Sequence, residues 1–210
     1  MNSVRHAAQF QSLAQQDHAT RLGMWVFLGS ELLLFAGLFA LYAAGRVAHP
    51  AAFHEGVAHA EKSIGSLNTA VLLTSSTTVA LAVESLRRER RAAAVTLLSI
   101  TIALGAAFFC LKLAEYGAHF RAGIYPGGAG SFFVSHGTPG LPLFWTLYFV
   151  TTGLHAVHVC VGLGVLGLSA QAIARGKMGG ERAYVLENAA LYWHLVDLIW
   201  IFLWPLYYLA

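Results

Sequence analysis

Five long apolar runs constrain this chain more than any other feature. They cover about Leu22–Ala44, Ser66–Leu86, Ala92–His119, Leu141–Ile173 and Tyr184–Leu209. About 20 consecutive apolar residues cross a bilayer as a helix, and a helix satisfies its own backbone polar groups where no water can. Only short connections and one tail lie outside these runs. Charged residues make up 11% of the chain, against roughly 25% in an ordinary soluble domain. The sequence excludes a soluble globular fold. It predicts an all-α membrane protein, a five-transmembrane-helix bundle forming one domain over residues 22–210. The polar tail at residues 1–21 has no apolar core of the kind found in a cleaved signal.

Basic residues set the expected orientation. Arg5, Arg21, Arg87, Arg88, Arg90, Arg91, Arg175, Lys177 and Arg182 fall on one side of the five runs. Arg46, Lys62 and Arg121 fall on the other, and Lys112 lies within a run. Positive charge is retained in the cytoplasm, so the N-terminus is expected inside and the C-terminus in the periplasm. The net charge of +3 gives no reason to expect a nucleic-acid partner. Cys110 and Cys160 both lie in apolar runs without CxxC spacing, and read as packing residues rather than a disulfide or a metal pair. The run of hydroxyls from Thr74 to Thr78 is expected to face protein. RRERR at Arg87–Arg91 reads as a tight hinge. Gly123–Gly140 is too rich in glycine for a helix, and the His-containing segment through Lys62 reads as a polar loop.

An ionisable group in hydrocarbon costs at least a few kcal/mol, so each one needs a partner or a purpose. Glu31 stands among Leu32, Leu33, Leu34 and Phe35. It is either a protonatable site that influences proton movement or a neutral acid bonded to a neighbouring helix. His155 and His158 are three residues apart, hence on one helical face, and Gly153 and Gly162 there permit close helix approach. His194 and Asp197 share a face of the last run in the same way. Both pairs fall near mid-membrane, so an interhelical cluster is expected in which Asp197 accepts from an imidazole. The sharper alternative is haem or metal ligation by His155 or His158 together with His194. Lys112 and Glu115 are secondary candidates, read as an intrahelical pair or as a lysine reaching the interface. Trp25, Tyr42, Trp204, Tyr207 and Tyr208 fit interfacial aromatic belts.

Specific strings go further than spacing. LNTAVLLTSS (Leu67–Ser76), FVTTGLHAVHVCVG (Phe149–Gly162) and LYWHLVDLIWIFLW (Leu191–Trp204), in that order, resemble subunit III of haem–copper oxidases. WVFLGSELLLFAGLFALY (Trp25–Tyr42), KLAEY (Lys112–Tyr116) and GSFF (Gly130–Phe133) add to the likeness, which covers nearly all of the chain from about residue 22. The resemblance implies a core subunit of a bacterial inner-membrane terminal oxidase that carries no catalytic centre and no metal of its own. Haem and copper belong to partner subunits I and II, and subunit III supports the cytochrome-c oxidase activity of the whole. It implies bound structural phospholipids and a role in sustaining proton uptake. The family's carbodiimide-reactive carboxylate corresponds to Glu31. Its polar positions in the last two helices correspond to His155, His158, His194 and Asp197, as a network rather than as ligands. Longer members have seven spans, and this chain begins at their third. LNTAVLL and YWHLVD read closer to the cytochrome-c branch than to the quinol branch. The alternatives are a quinol-oxidase subunit, a nitric-oxide-reductase-associated homologue, and a stand-alone haem-binding membrane protein.

Overall fold

The computed structural model describes residues 13–209. Over that range the regular structure is all helical, with five helices long and apolar enough to cross a membrane. These are α1 (Leu13–Ala48), α3 (Lys62–Arg87), α4 (Arg91–Arg121), α6 (Leu141–Ala174) and α7 (Ala183–Tyr208). Two short helices join them, α2 (Pro50–Ala58) and α5 (Ser131–Ser135). Leu13–Arg21, expected as tail, belong to α1, while the rest of that tail lies outside the described residues.

The segment between α1 and α3 is not a polar loop. Pro50 opens α2 at a position where its missing N–H costs nothing, and Phe53 and Val57, one turn apart, are buried. Gly56 lets the Phe144 ring lie against the α2 backbone, in space a Cβ would occupy. The glycine-rich segment likewise contains a turn at Pro126–Gly128 and the whole of α5. Both segments cap the same end of the bundle.

At the opposite end the RRERR hinge is as tight as expected. Glu89 adopts a left-handed conformation (φ 57°), and its carboxylate accepts the Gly180 N–H at 2.8 Å. Arg87 bonds Glu187 at 2.9 Å. The α3–α4 turn is thereby tied to the α6–α7 turn.

Lipid tails are as apolar as leucine, so packing and polar contacts, not exclusion from water, hold such helices together. Trp193 shows how. Its ring is fully buried and fills space left by two glycines on other helices. A Cβ on Gly162 would come within 2.7 Å of the ring, and one on Gly105 within 2.8 Å. Its Nε1–H donates to Ser75 Oγ at 3.0 Å. Within the hydroxyl run, Ser75 is buried and Thr78 meets Thr101 at 2.7 Å, whereas Thr74 and Thr77 turn outward and bond back to their own helix. Cys110 and Cys160 are free and face outward instead of packing inside.

Helix α1 is the least enclosed of the five. Phe35 and Tyr42 are buried, and the Tyr42 hydroxyl donates to the Leu206 carbonyl. Trp25, Val26, Leu33 and Val47 are all strongly exposed. That face requires lipid or another subunit against it.

Candidate functional site

Three separate polar clusters lie within the bundle. The first joins α1 to α6. Glu31 Oε2 and His158 Nε2 are 2.8 Å apart, and both side chains are mostly enclosed. His158 Nδ1 lies 2.8 Å from the Leu154 carbonyl. A ring nitrogen facing a carbonyl must carry the hydrogen, so Nδ1–H is committed to Leu154. The bond at Nε2 then needs one further proton, held either by the carboxyl or by the imidazole. One hydrogen is thus shared between the two side chains. Phe35 packs edge-on to His158 at 5.3 Å between ring centres, and Tyr192 donates to the His158 carbonyl at 3.2 Å.

The second cluster is near the end capped by α2 and α5. Lys112 and Glu115 are almost completely buried and form an ion pair at 2.9 Å. The ammonium also donates to Tyr148 Oη at 2.9 Å and to Tyr208 Oη at 2.6 Å. Each tyrosine passes its own hydrogen to Glu115 Oε1 at 2.7 Å. All three ammonium donors are used, both phenols donate and accept, and both carboxylate oxygens accept. Helices α4, α6 and α7 each contribute, and Gly65 of α3 makes room for the Tyr208 ring, since a Cβ there would come within 2.8 Å of it. Among the sequence expectations, a lysine reaching the interface is overturned. Tyr42, Tyr207 and Tyr208 are likewise core residues and not an interfacial belt. Tyrosines near a span end match both patterns, and only packing separates them.

The third cluster holds His194. Its Nδ1 is 2.6 Å from Ser76 Oγ on α3. Asp197 is buried beside the same Ser76 hydroxyl, although neither of its oxygens makes a hydrogen bond of good geometry to a described residue. His155 is buried with neither nitrogen bonded, its ring held against Phe108 at 5.7 Å and Trp200 at 5.2 Å. The structure therefore does not join His155, His158, His194 and Asp197 into one network. It sends His158 to α1, His194 to α3, and leaves His155 packed as an aromatic ring. Between these groups the Trp193 ring of α7 fills the space over Gly162 of α6 and Gly105 of α4. Ser76, Tyr148 and Tyr208 went unrecognised as partners in the sequence, where each is one hydroxyl among many.

Among the described residues no three His, Cys, Asp or Glu side chains gather as a metal site. His158, with both nitrogens engaged, would have to give up Glu31 to ligate haem.

A family model described as cytochrome c oxidase subunit III matches residues 9–210. The chain belongs to that family. Quinol oxidase subunit 3 of Bacillus spizizenii is 31% identical over 219 residues, covering 98% of this chain and 97% of the relative. Cytochrome bo(3) ubiquinol oxidase subunit 3 of Pseudomonas aeruginosa is 31% identical, covering 92% and 88%. Cytochrome c oxidase subunit 3 of Lycodon semicarinatus is 32% identical, covering 88% of this chain and 67% of the relative. Five apolar helices and these bacterial relatives make this subunit III a multi-pass bacterial membrane protein. As a member of the haem–copper oxidase subunit III family it stands among subunits of terminal oxidases. Glu31, expected from the sequence to correspond to the family's reactive carboxylate, is the residue bonded to His158.

Proposed function

We propose that the chain is the accessory subunit of a proton-pumping terminal oxidase, packed beside catalytic subunit I and in one complex with subunit II. In this reading it carries no haem or copper, and stabilises the complex while supporting proton uptake. The Glu31–His158 pair carries the proposal. It holds an exchangeable proton at mid-membrane, on the helix whose outer face is least covered. A groove of about 290 Å³ lies nearby, lined by Met24, Phe27, Val161, Val165, Tyr192 and neighbouring residues. Its lining is almost wholly apolar, which suits a phospholipid acyl chain beside the pair.

Glu31→Gln keeps the shape of the side chain and removes the titratable proton. Assembly of the complex is expected to be unchanged, while the number of turnovers before inactivation and the protons pumped per electron both fall. Purified variant complex with wild-type lifetime and proton yield would refute the role of Glu31.

The donor is proposed to be quinol. Quinol-oxidase subunits of Bacillus spizizenii and Pseudomonas aeruginosa match over most of their length, and this outweighs the short strings that favoured cytochrome c. Membranes carrying the complex should consume oxygen with ubiquinol and not with ferrocytochrome c; the reverse preference would restore the cytochrome-c reading.

The distribution of basic residues supports an N-terminus in the cytoplasm and puts α2 and α5 in the periplasm. A single cysteine at Ala51 should then react with an impermeant maleimide in intact cells, and one at Arg90 should not.

A further inference from the structure

The end of the bundle that carries α2 and α5 holds a second arrangement of histidines, unrelated to Glu31. His59 closes α2, and His136 follows α5. Their ring centres are 5.4 Å apart and their planes nearly perpendicular, at 84°. Phe132 packs against both, stacked on His136 at 4.2 Å and edge-on to His59 at 5.2 Å.

Each ring has one nitrogen already committed. His59 Nδ1 is 2.9 Å from the Glu55 carbonyl, and His136 Nδ1 is 3.0 Å from both the Phe132 carbonyl and the Ser135 hydroxyl. A ring nitrogen facing a carbonyl carries the hydrogen, and Ser135 sends its own hydroxyl hydrogen to the Phe132 carbonyl at 3.0 Å, so both neutral rings carry theirs on Nδ1 and leave the Nε2 lone pair bare. This is the outer-shell arrangement that orients metal-binding histidines. The spacing fits as well. Two imidazoles on one tetrahedral ion, with metal–nitrogen distances of about 2.0–2.1 Å, put their ring centres about 5 Å apart.

The two halves are also held in place before any ligand arrives. Thr138, just beyond His136, donates to Glu55 Oε2 at 2.6 Å, on the helix that ends in His59. Gly140 presses against the His49 ring at the other end of α2, where a Cβ would have no room.

We propose that His59 and His136 form a two-imidazole site for a divalent late first-row metal ion, with Zn²⁺ as the representative, solvent completing the shell. Imidazole nitrogen suits Zn²⁺, Cu²⁺ and Ni²⁺ over Mg²⁺ or Ca²⁺. The site bridges α2 to the segment before α6, so an occupied site would clamp the two capping elements together. Its periplasmic location rests on the orientation proposed above, but the binding itself does not.

The test is calorimetric titration of the full chain, purified in mild detergent and stripped with chelator, with ZnCl₂. One Zn²⁺ per chain is expected at micromolar affinity, lost in His59→Gln and lost again in His136→Gln. His54→Gln, on the same helix, should retain it. Absence of binding to the unmodified chain, or isotherms of the two variants that overlay wild type, would overturn the site. If either variant loses helical circular dichroism, the unmodified chain decides: Zn²⁺ should protect His59 and His136 together from carbethoxylation, read by mass spectrometry, and equal modification with and without Zn²⁺ refutes the proposal. Failure here leaves the cysteine-labelling result untouched, so orientation and metal binding are judged separately.

Discussion

Glu115→Ala is expected to lower stability by about 3–5 kcal/mol, because it leaves a buried lysine without its counter-charge. A folded domain has only about 5–15 kcal/mol in total, so loss of subunit III from the solubilised complex is the anticipated phenotype. Lys112 would retain Tyr148 and Tyr208 as acceptors, but those phenols would lose the carboxylate that takes their own hydrogens. The cost therefore extends beyond one ion pair.

Lys112→Met combined with Glu115→Leu removes both charges and still strands two phenols, each at about 1–3 kcal/mol. Adding Tyr148→Phe and Tyr208→Phe should recover most of the loss, since replacing a whole buried polar group with apolar side chains is often neutral. The thermal midpoint for release of subunit III in mild detergent checks the series. A Glu115→Ala protein that melts with wild type would mean the cluster is not closed as described. Full recovery in the fourfold variant would show that the cluster specifies helix register more than it contributes stability.

Trp193→Ala is expected to cost a similar amount, about 3–5 kcal/mol, through the cavity it leaves. The two glycines beneath the ring cannot fill that space, and Ser75 would lose the indole donor. In a membrane no gain from excluding water offsets such a void. Trp193→Phe should be milder, keeping most of the volume and losing only the N–H. Gly162→Leu tests the same contact from the other side and should cost about 1–3 kcal/mol by overpacking. Retention of subunit III at graded detergent concentrations provides the readout. Equal retention of Trp193→Ala and wild type would show that α6 and α7 are not held by this wedge.

The fates of the ionisable residues show where sequence reasoning stops. Glu31 was recognisable because an acid among leucines has few explanations, and Lys112 with Glu115 because three residues of spacing puts them on one face. His155, His158, His194 and Asp197 had equally clear spacing, and the structure sends His158 one way and His194, with Asp197 beside the same Ser76, another. Periodicity assigns a side chain to a face of its own helix. It does not say which neighbour that face meets, and here α6 turns His158 toward α1 while α7 turns His194 toward α3.

Tyrosine is ambiguous for a related reason. Trp25 stands exposed as a belt residue would, whereas Tyr208, equally near a span end, is buried and accepts from Lys112. An amphipathic ring suits both a headgroup layer and a buried polar cluster, and sequence position alone does not separate the two.

From the sequence by itself came the five spans, the tight RRERR hinge and the list of groups too costly to bury without purpose. These follow from hydropathy, length and charge, which act residue by residue. Only the tertiary structure decided that Glu31 pairs with His158, that Lys112 is held by two tyrosines from other helices, and that His59 meets His136 across two short capping helices. Those pairings depend on how the helices are rotated and placed against one another, and that is decided by glycine-sized gaps such as those at Gly65, Gly105 and Gly162, filled by rings from distant parts of the chain.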